Sequence, residues 1–272
     1  MNFRSNLKKN IIGLVTLQDL WIQWKMPFNP KYYKSFSFSK TKDFSLVMIG
    51  AHNGKKTKYF VRNASKYGKV CLIEPVPYLF QQLEKLHRHT KNITLLNKCI
   101  SPKDVEFAEF YALSPKANKI QPYGDQLGSL SAEHAKNHDI RFESAIHKIK
   151  VETFTLAQLL EQISCSDINL LFLDTEGFDA EILQTFPFEK LKPKAILFEH
   201  KHSDGTHNIG EKFANIIVQL NKHGYRVQCI DRENCLATLK GLSKFTKPVK
   251  LEFKEERICP SEWLKRSNKY LL

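Results

Sequence analysis

The chain has 272 residues, 42% of them hydrophobic and 26% charged, which excludes a disordered or fibrous polymer and is too long for a miniprotein stapled by disulfides or metal. Lys and Arg total 42 against 28 Asp and Glu, a formal charge of +14 that favours something anionic without naming it. Residues 1–43 carry 8 basic and 2 acidic side chains and residues 241–272 carry 8 and 4; the centre is nearly balanced, which weighs against nucleic acid as its substrate.

Near the N-terminus the apolar string Ile11 to Val15 follows Lys8 and Lys9, but Gln18 and Asp19 interrupt it and no small-residue cleavage site follows. Leu14, Leu17, Leu20, Trp21 and Trp24 form one face of an amphipathic helix, suited to docking on the domain or to peripheral contact with an acidic membrane. The six cysteines, at 71, 99, 165, 229, 235 and 259, show no CxxC and no close Cys/His spacing. They read as reduced thiols of a cytoplasmic protein.

From residue 44 short apolar strands alternate with amphipathic helices. Strands are predicted over 44–49, 70–74 and 93–97, with helices over 55–65 and 78–88. Residues 101–150 break the rhythm, with an edge strand at 105–111, a long loop over 113–130, a short helix at 131–137 and a strand at 148–152. Thr155 caps the next helix, and Ile168 to Leu173 is the strongest buried-strand signal in the chain. Asp179 is expected to cap a brief helix reaching Phe186. A strand at 195–198, a helix at 210–222 and a hairpin of strands at 225–230 and 235–239 close the pattern. This repetition argues for an α/β fold with a parallel sheet covered on both faces. The organisation expected is one domain over 44–240, a basic extension over 1–43 and a second extension over 241–272 packing on it.

Gly50-Ala51-His52-Asn53-Gly54 stands directly after the first strand, and Glu74 ends the second. Glycines in such a turn let backbone approach a ligand, and a carboxylate one strand over can accept hydrogen bonds from a ribose. Nicotinamide and adenosyl cofactors both satisfy that argument. The turn lacks the third glycine of a dinucleotide fingerprint, and Lys55-Lys56-Thr57 departs from phosphate-loop spacing. Asp174 and Glu176 follow the strongest strand, where strand ends surround a ligand crevice, and can orient a hydroxyl, take its proton or bind a divalent ion. Glu199 and His200 end the next strand, followed by His202 and His207, in a spacing that diagnoses no metal. His134 and His138 share a helix face at i and i+4, where a lid helix can touch substrate. Tyr123 and Ser129 are weaker candidates for substrate contact.

Taken together, VMIGAHNG at 47–54, IEPVP at 73–77, NITLLNKCIS at 92–101 and LFLDTEGFDAEIL at 171–183 resemble the FkbM family of S-adenosylmethionine-dependent methyltransferases, over roughly residues 44–240. The resemblance implies a class I methyltransferase fold, Rossmann-like, with a seven-stranded, mostly parallel sheet whose last strand is antiparallel. It implies S-adenosyl-L-methionine as cofactor, with Gly50, Ala51 and Gly54 near its amino acid moiety, His52 and Asn53 of the same turn as further cofactor-binding candidates, and Glu74 on its ribose. It implies O-methylation of a small-molecule or glycan hydroxyl. The catalytic candidates are then Asp174, Glu176 and His200, the substrate candidates Tyr123, Ser129, His134 and Glu199. No metal is required, because a sulfonium already activates its methyl group. The sequence departs from the family at Met48, where an acid is usual, and at His52, where Asn is usual. Those departures and the basic ends leave two alternatives: a non-catalytic interaction protein on the same fold, or a nucleic-acid methyltransferase.

Overall fold

The computed structural model describes residues 40–231 and 233–241. The expected N-terminal helix, the extension beyond residue 241 and Cys259 lie outside the described residues.

The framework is a seven-stranded sheet in the order β3-β2-β1-β7-β8-β10-β9. Its strands are β1 (Phe44–Ile49), β2 (Lys69–Ile73), β3 (Ile93–Leu96), β7 (Ile168–Leu173), β8 (Ala195–Glu199), β9 (Tyr225–Cys229) and β10 (Asn234–Leu239). β1 pairs parallel with β2 and β7, β2 with β3, and β7 with β8. β10 runs antiparallel to both β8 and β9. The last strand is thus reversed by the tight hairpin after β9, while every other connection is a helical or long crossover.

β1 and β7 are buried at every position because both sheet faces are covered, so their runs FSLVMI and INLLFL show no polar alternation. Met48, one of the two departures from the family pattern that the resemblance implies, is 1% exposed and in register between Leu72 and Phe172. A carboxylate at that point would lose its hydration without a partner, and a thioether does not.

Helices α1 (Lys58–Ala64), α2 (Pro77–His87), α4 (Leu156–Gln162) and α6 (Glu211–Lys222) cover the sheet through residues at helical spacing, for example Leu79 and Leu83, or Phe213, Ile216, Ile217 and Leu220. Thr155 starts α4 with a complete capping box: its Oγ accepts the Gln158 N–H at 3.2 Å and Gln158 Oε1 accepts the Thr155 N–H at 2.8 Å. Asp179 does not cap α5 (Asp179–Gln184), whose preceding residue is Phe178. Its carboxylate instead accepts the N–H groups of Thr175 at 2.9 Å and Glu199 at 2.7 Å. It ties the end of β7 to the end of β8, a stronger use for a fully buried acid than one helix terminus.

Residues 99–154 are more ordered than their irregular pattern suggests. β4 (Cys99–Ile100), β6 (Ile146–Phe154) and β5 (Phe107–Leu113) make a second sheet in that order, with β5 and β6 antiparallel over seven residue pairs. The expected loop holds two 3-10 turns, Pro115–Lys119 and Gly124–Gln126, and α3 (Ala132–His138) follows. No helix among the described residues is long and apolar enough to cross a membrane.

Candidate active site at the strand ends

The ends of β1, β2 and β7 meet. Gly50 has φ +84°, and a Cβ there would lie 1.9 Å from the Asp174 carbonyl oxygen, so only glycine lets the two strand ends pass so closely. Gly54, at φ +70°, faces the side-chain ends of Leu83 and Leu86 of α2, 2.5 and 3.1 Å from where its Cβ would stand. The sequence suggested ligand approach at both glycines; the structure supplies packing against the protein's own chain. Asn53 closes the turn by accepting the Lys55 N–H at 3.0 Å, and the N–H groups of Gly50 and Ala51 reach the Ile73 carbonyl at 3.0 and 2.9 Å. His52, at φ +50°, turns its own N–H onto Glu74 Oε2 at 2.7 Å. Glu74 Oε1 accepts the Val76 N–H at 2.9 Å. Glu74 is 4% exposed, and burial pushes its carboxyl up to about 7 against the opposing pull of those two N–H groups.

Beyond the turn the surroundings become acidic. Asp174 begins where its N–H meets the Ile49 carbonyl at 3.0 Å, and Glu176 follows at φ +51°. Burial, then the neighbouring charge of Glu176, holds the Asp174 carboxyl well above the usual range. Glu199, at the end of β8, is raised for the same reasons, with Glu176 and Asp174 as its leading neighbours, and its Oε2 is buried with no hydrogen-bond partner. Lys56 brings a positive charge to bear on Asp174 and Glu176, while its Nζ bonds Gln126.

Several predicted residues converge here from distant segments. Ser129 Oγ donates to the Glu176 carbonyl at 2.9 Å, and His134 Nε2 lies 3.0 Å from Glu176 Oε2. Glu199 Oε1 is 3.6 Å from His202 Nε2. His200 is not brought to this group. Adjacent positions on a strand point to opposite faces, and its ring packs on Phe213 of α6, with both nitrogens buried and unpartnered. Burial pushes it down to about 4. Tyr123 lies edge-on to Phe142 and is 39% exposed. The His52 ring turns to Asp125, 3.7 Å away.

Lys56 enters the sequence argument only as part of a phosphate-loop spacing that fails, and not as a residue of this site, where the structure places it. The sequence also keeps His134 and His138 apart from His202 and His207, although the fold brings the four rings to within 4.6–4.9 Å of a neighbour. Burial, followed by the neighbouring imidazoles, lowers His138 to about 3 and His202 to about 2.

These residues fit an adenosyl sulfonium cofactor on two observations. The Glu74 carboxylate spends one hydrogen bond per oxygen on backbone and retains acceptor capacity for a ribose diol. The unpartnered Glu199 oxygen and the crowd of Asp174, Glu176 and Glu199 beside Lys56 put three carboxyl groups against one amine, a surrounding in which a bound cation would favour the ionised carboxylates. The sequence matches the methyltransferase FkbM domain over residues 49–227. The chain belongs to the FkbM methyltransferase family. It is an S-adenosylmethionine-dependent methyltransferase, and its strand order, with one reversed strand next to the edge, is the class I arrangement.

Similar solved structures include a Methanococcus jannaschii fibrillarin pre-rRNA processing protein, at 16% identity over 74% of this chain and 68% of that one, with a TM-score of 0.39. A precorrin-6y C5,15-methyltransferase from Geobacter metallireducens aligns at 11% identity over 78% and 87%, TM-score 0.41. A putative Streptococcus mutans methyltransferase in complex with S-adenosylhomocysteine aligns at 11% over 76% and 94%, TM-score 0.39. Likenesses of that strength carry no weight beside the family match and the strand order. No curated protein sequence matches the chain.

Proposed function

We propose that this FkbM methyltransferase methylates a hydroxyl group of a small molecule or glycan. The carrying observation is the polar group set beside the Gly50 turn: Asp174 and Glu176 at the end of β7, with Ser129 and His134 fixed on Glu176 at 2.9 and 3.0 Å. Carboxylates and an imidazole so placed accept hydrogen bonds from an acceptor's hydroxyls and hold the proton that a hydroxyl must lose. When bound, the cofactor supplies an electrophilic methyl group on a sulfonium.

The residues of the chain do the remaining work. Glu74 holds the ribose. Asp174, pressed against Gly50, takes the proton of the attacking hydroxyl, and the His134–Glu176 pair orients the acceptor. Met48 and the near-balanced central charge are compatible with this reading. The cytoplasm as its compartment is part of the same proposal, resting on the lack of CxxC or close Cys/His spacing in the sequence.

Radiolabelled methyl transfer from S-adenosylmethionine to a panel of glycans and small alcohols and phenols tests it. Asp174→Asn should lose turnover by on the order of 100-fold or more, the contribution of a positioned general base, with S-adenosylhomocysteine affinity within a few-fold of the native chain. Transfer to nitrogen or carbon acceptors alone would refute the hydroxyl assignment, and unchanged turnover in Asp174→Asn would remove Asp174 from the mechanism.

A further inference from the structure

His134 and His138 come from α3, His202 from the loop after β8 and Glu176 from the end of β7, yet one ligand atom from each falls within 4.8 Å of every other. The three ring centroids are mutually 4.9 Å apart. Three imidazoles bound at ~2.1 Å around a tetrahedral ion have their centroids about 5 Å apart, so the rings already stand at ligand spacing. The 3.0 Å between His134 Nε2 and Glu176 Oε2 also suits two donors sharing one ion. His138 Nε2 is buried and unpartnered, a lone pair or N–H facing no protein group.

We propose that His134, His138, His202 and Glu176 bind one divalent transition-metal ion of the zinc class. Three nitrogens and one carboxylate oxygen select a borderline ion such as Zn²⁺ over Mg²⁺ or Ca²⁺, which prefer oxygen alone. An outer shell is present: Thr206 Oγ lies 3.3 Å from His134 Nδ1, which sets the rotation of that ring. His202 Nδ1 accepts the N–H of His207 at 2.8 Å. Metal binding has to break that bond. Either the ion takes the Nδ1 lone pair, or it takes Nε2 and sends the ring proton to Nδ1, which then repels the N–H. The ion would clamp α3, from the second-sheet segment, onto the strand ends and fix Glu176 there. The site shares Glu176 and His134 with the proposed acceptor site, where the ion would hold that pair in place, but does not depend on what is methylated.

A second group, His200, Cys229 and Cys235, also has ligand atoms within 4.8 Å of one another, so the test must tell the two apart. The full-length chain, stripped with chelator, is titrated with Zn²⁺ by calorimetry and with Co²⁺ by absorption. The expected result is one ion per chain and a cobalt spectrum without thiolate charge transfer. Loss of His207 amide protection on loading would show the His202 bond breaking. His138→Ala should weaken Zn²⁺ by on the order of 100-fold and Thr206→Val by roughly 10-fold, ligand and outer-shell costs respectively, with far-ultraviolet dichroism unchanged. Cys229→Ser should leave affinity as it was. If His138→Ala fails to fold, the cobalt spectrum of the native chain and the Thr206→Val titration still decide. No binding by the folded native chain, a thiolate band, or affinity lost in Cys229→Ser and kept in His138→Ala would each overturn the proposal. S-adenosylhomocysteine binding, measured in parallel, shows whether the methyltransferase site is intact whichever way the metal result falls.

Discussion

Exchanging Glu74 for glutamine separates the role of that residue in folding from its role in binding, because the two respond oppositely to pH. In the native chain the carboxyl is buried and shifted from 4.5 to about 7. A carboxyl whose folded pKa is raised favours folding most when protonated, so its contribution is complete below pH 4.5 and is lost as the pH rises through 7. At 1.36 kcal/mol per unit the loss reaches about 3 kcal/mol by pH 8. Glutamine does not ionise, but its amide presents one acceptor to two N–H groups, those of His52 at 2.7 Å and Val76 at 2.9 Å. One of them then faces an NH₂ group, at a cost of about 1–3 kcal/mol. Glu74→Gln should therefore be the less stable protein at pH 5, and the gap should close or reverse by pH 8. Affinity should move the other way. At pH 8 the native carboxylate offers charge-assisted bonds to a ribose worth about 1.5–3 kcal/mol, so the variant should bind S-adenosylhomocysteine about 10–100-fold more weakly. Urea unfolding at pH 5 and 8, paired with calorimetric titration of that ligand, measures both. Affinity within twofold of the native chain at pH 8, with the stability gap behaving as expected, would show that Glu74 only holds the turn together and would remove the cofactor reading at this residue.

Gly50→Ala places a Cβ 1.9 Å from the Asp174 carbonyl at φ +84°, adding about 1–2 kcal/mol of left-handed backbone cost to a forced separation of β1 from β7. Its melting temperature should fall by more than about 5 °C and S-adenosylhomocysteine binding should be lost with it; a native-like melt would mean the strand ends do not touch. Thr155→Ala should cost about 0.5–2 kcal/mol in urea unfolding with methyl transfer unchanged, and Thr155→Ser should recover most of it. His87, buried in α2 with neither ring nitrogen partnered, is pushed by burial down to about 4. A lowered imidazole stabilises the fold when neutral, so that contribution is lost as the pH falls from 6.5 through 4. Stability measured between pH 7 and 5 should therefore drop by about 2 kcal/mol less in His87→Leu than in the native chain, and equal slopes would refute it.

The sheet could be read from the sequence because β1 and β7 lie between two covering layers: six consecutive buried positions leave a run with a single polar residue, Ser45 or Asn169, and no alternation. The hairpin announced itself through Asp231 to Asn234, where Asp231 Oδ1 accepts the N–H groups of Glu233 at 2.8 Å and Asn234 at 2.6 Å. Asp179 was misread because Asp before an apolar helix ordinarily caps it; what decided its role was the Glu199 N–H, 20 residues away. The second sheet was half visible. Both β5 and β6 show as strands in the sequence, over 105–111 and 148–152, but the two-residue β4 carries no period, and alternation alone does not say that the three pair apart from the main sheet.

The same limit explains why the acidic strand end was readable and the histidine cluster was not. Asp174 and Glu176 stand one and three residues beyond an unmistakable strand, so the rule that ligands gather beyond strand ends assigns their place without any tertiary contact. His134 and His138 have no such anchor. Their place is fixed by Ser129 bonding the Glu176 carbonyl at 2.9 Å and by Ser129 pairing with Tyr111 on β5, contacts that span 47 and 18 residues. Ligand spacing searched along one segment finds pairs at i and i+4 and stops there. A site assembled from α3, the end of β7 and the loop after β8 is held together by the sheet that aligns those ends, so it becomes visible only once the strand order is known.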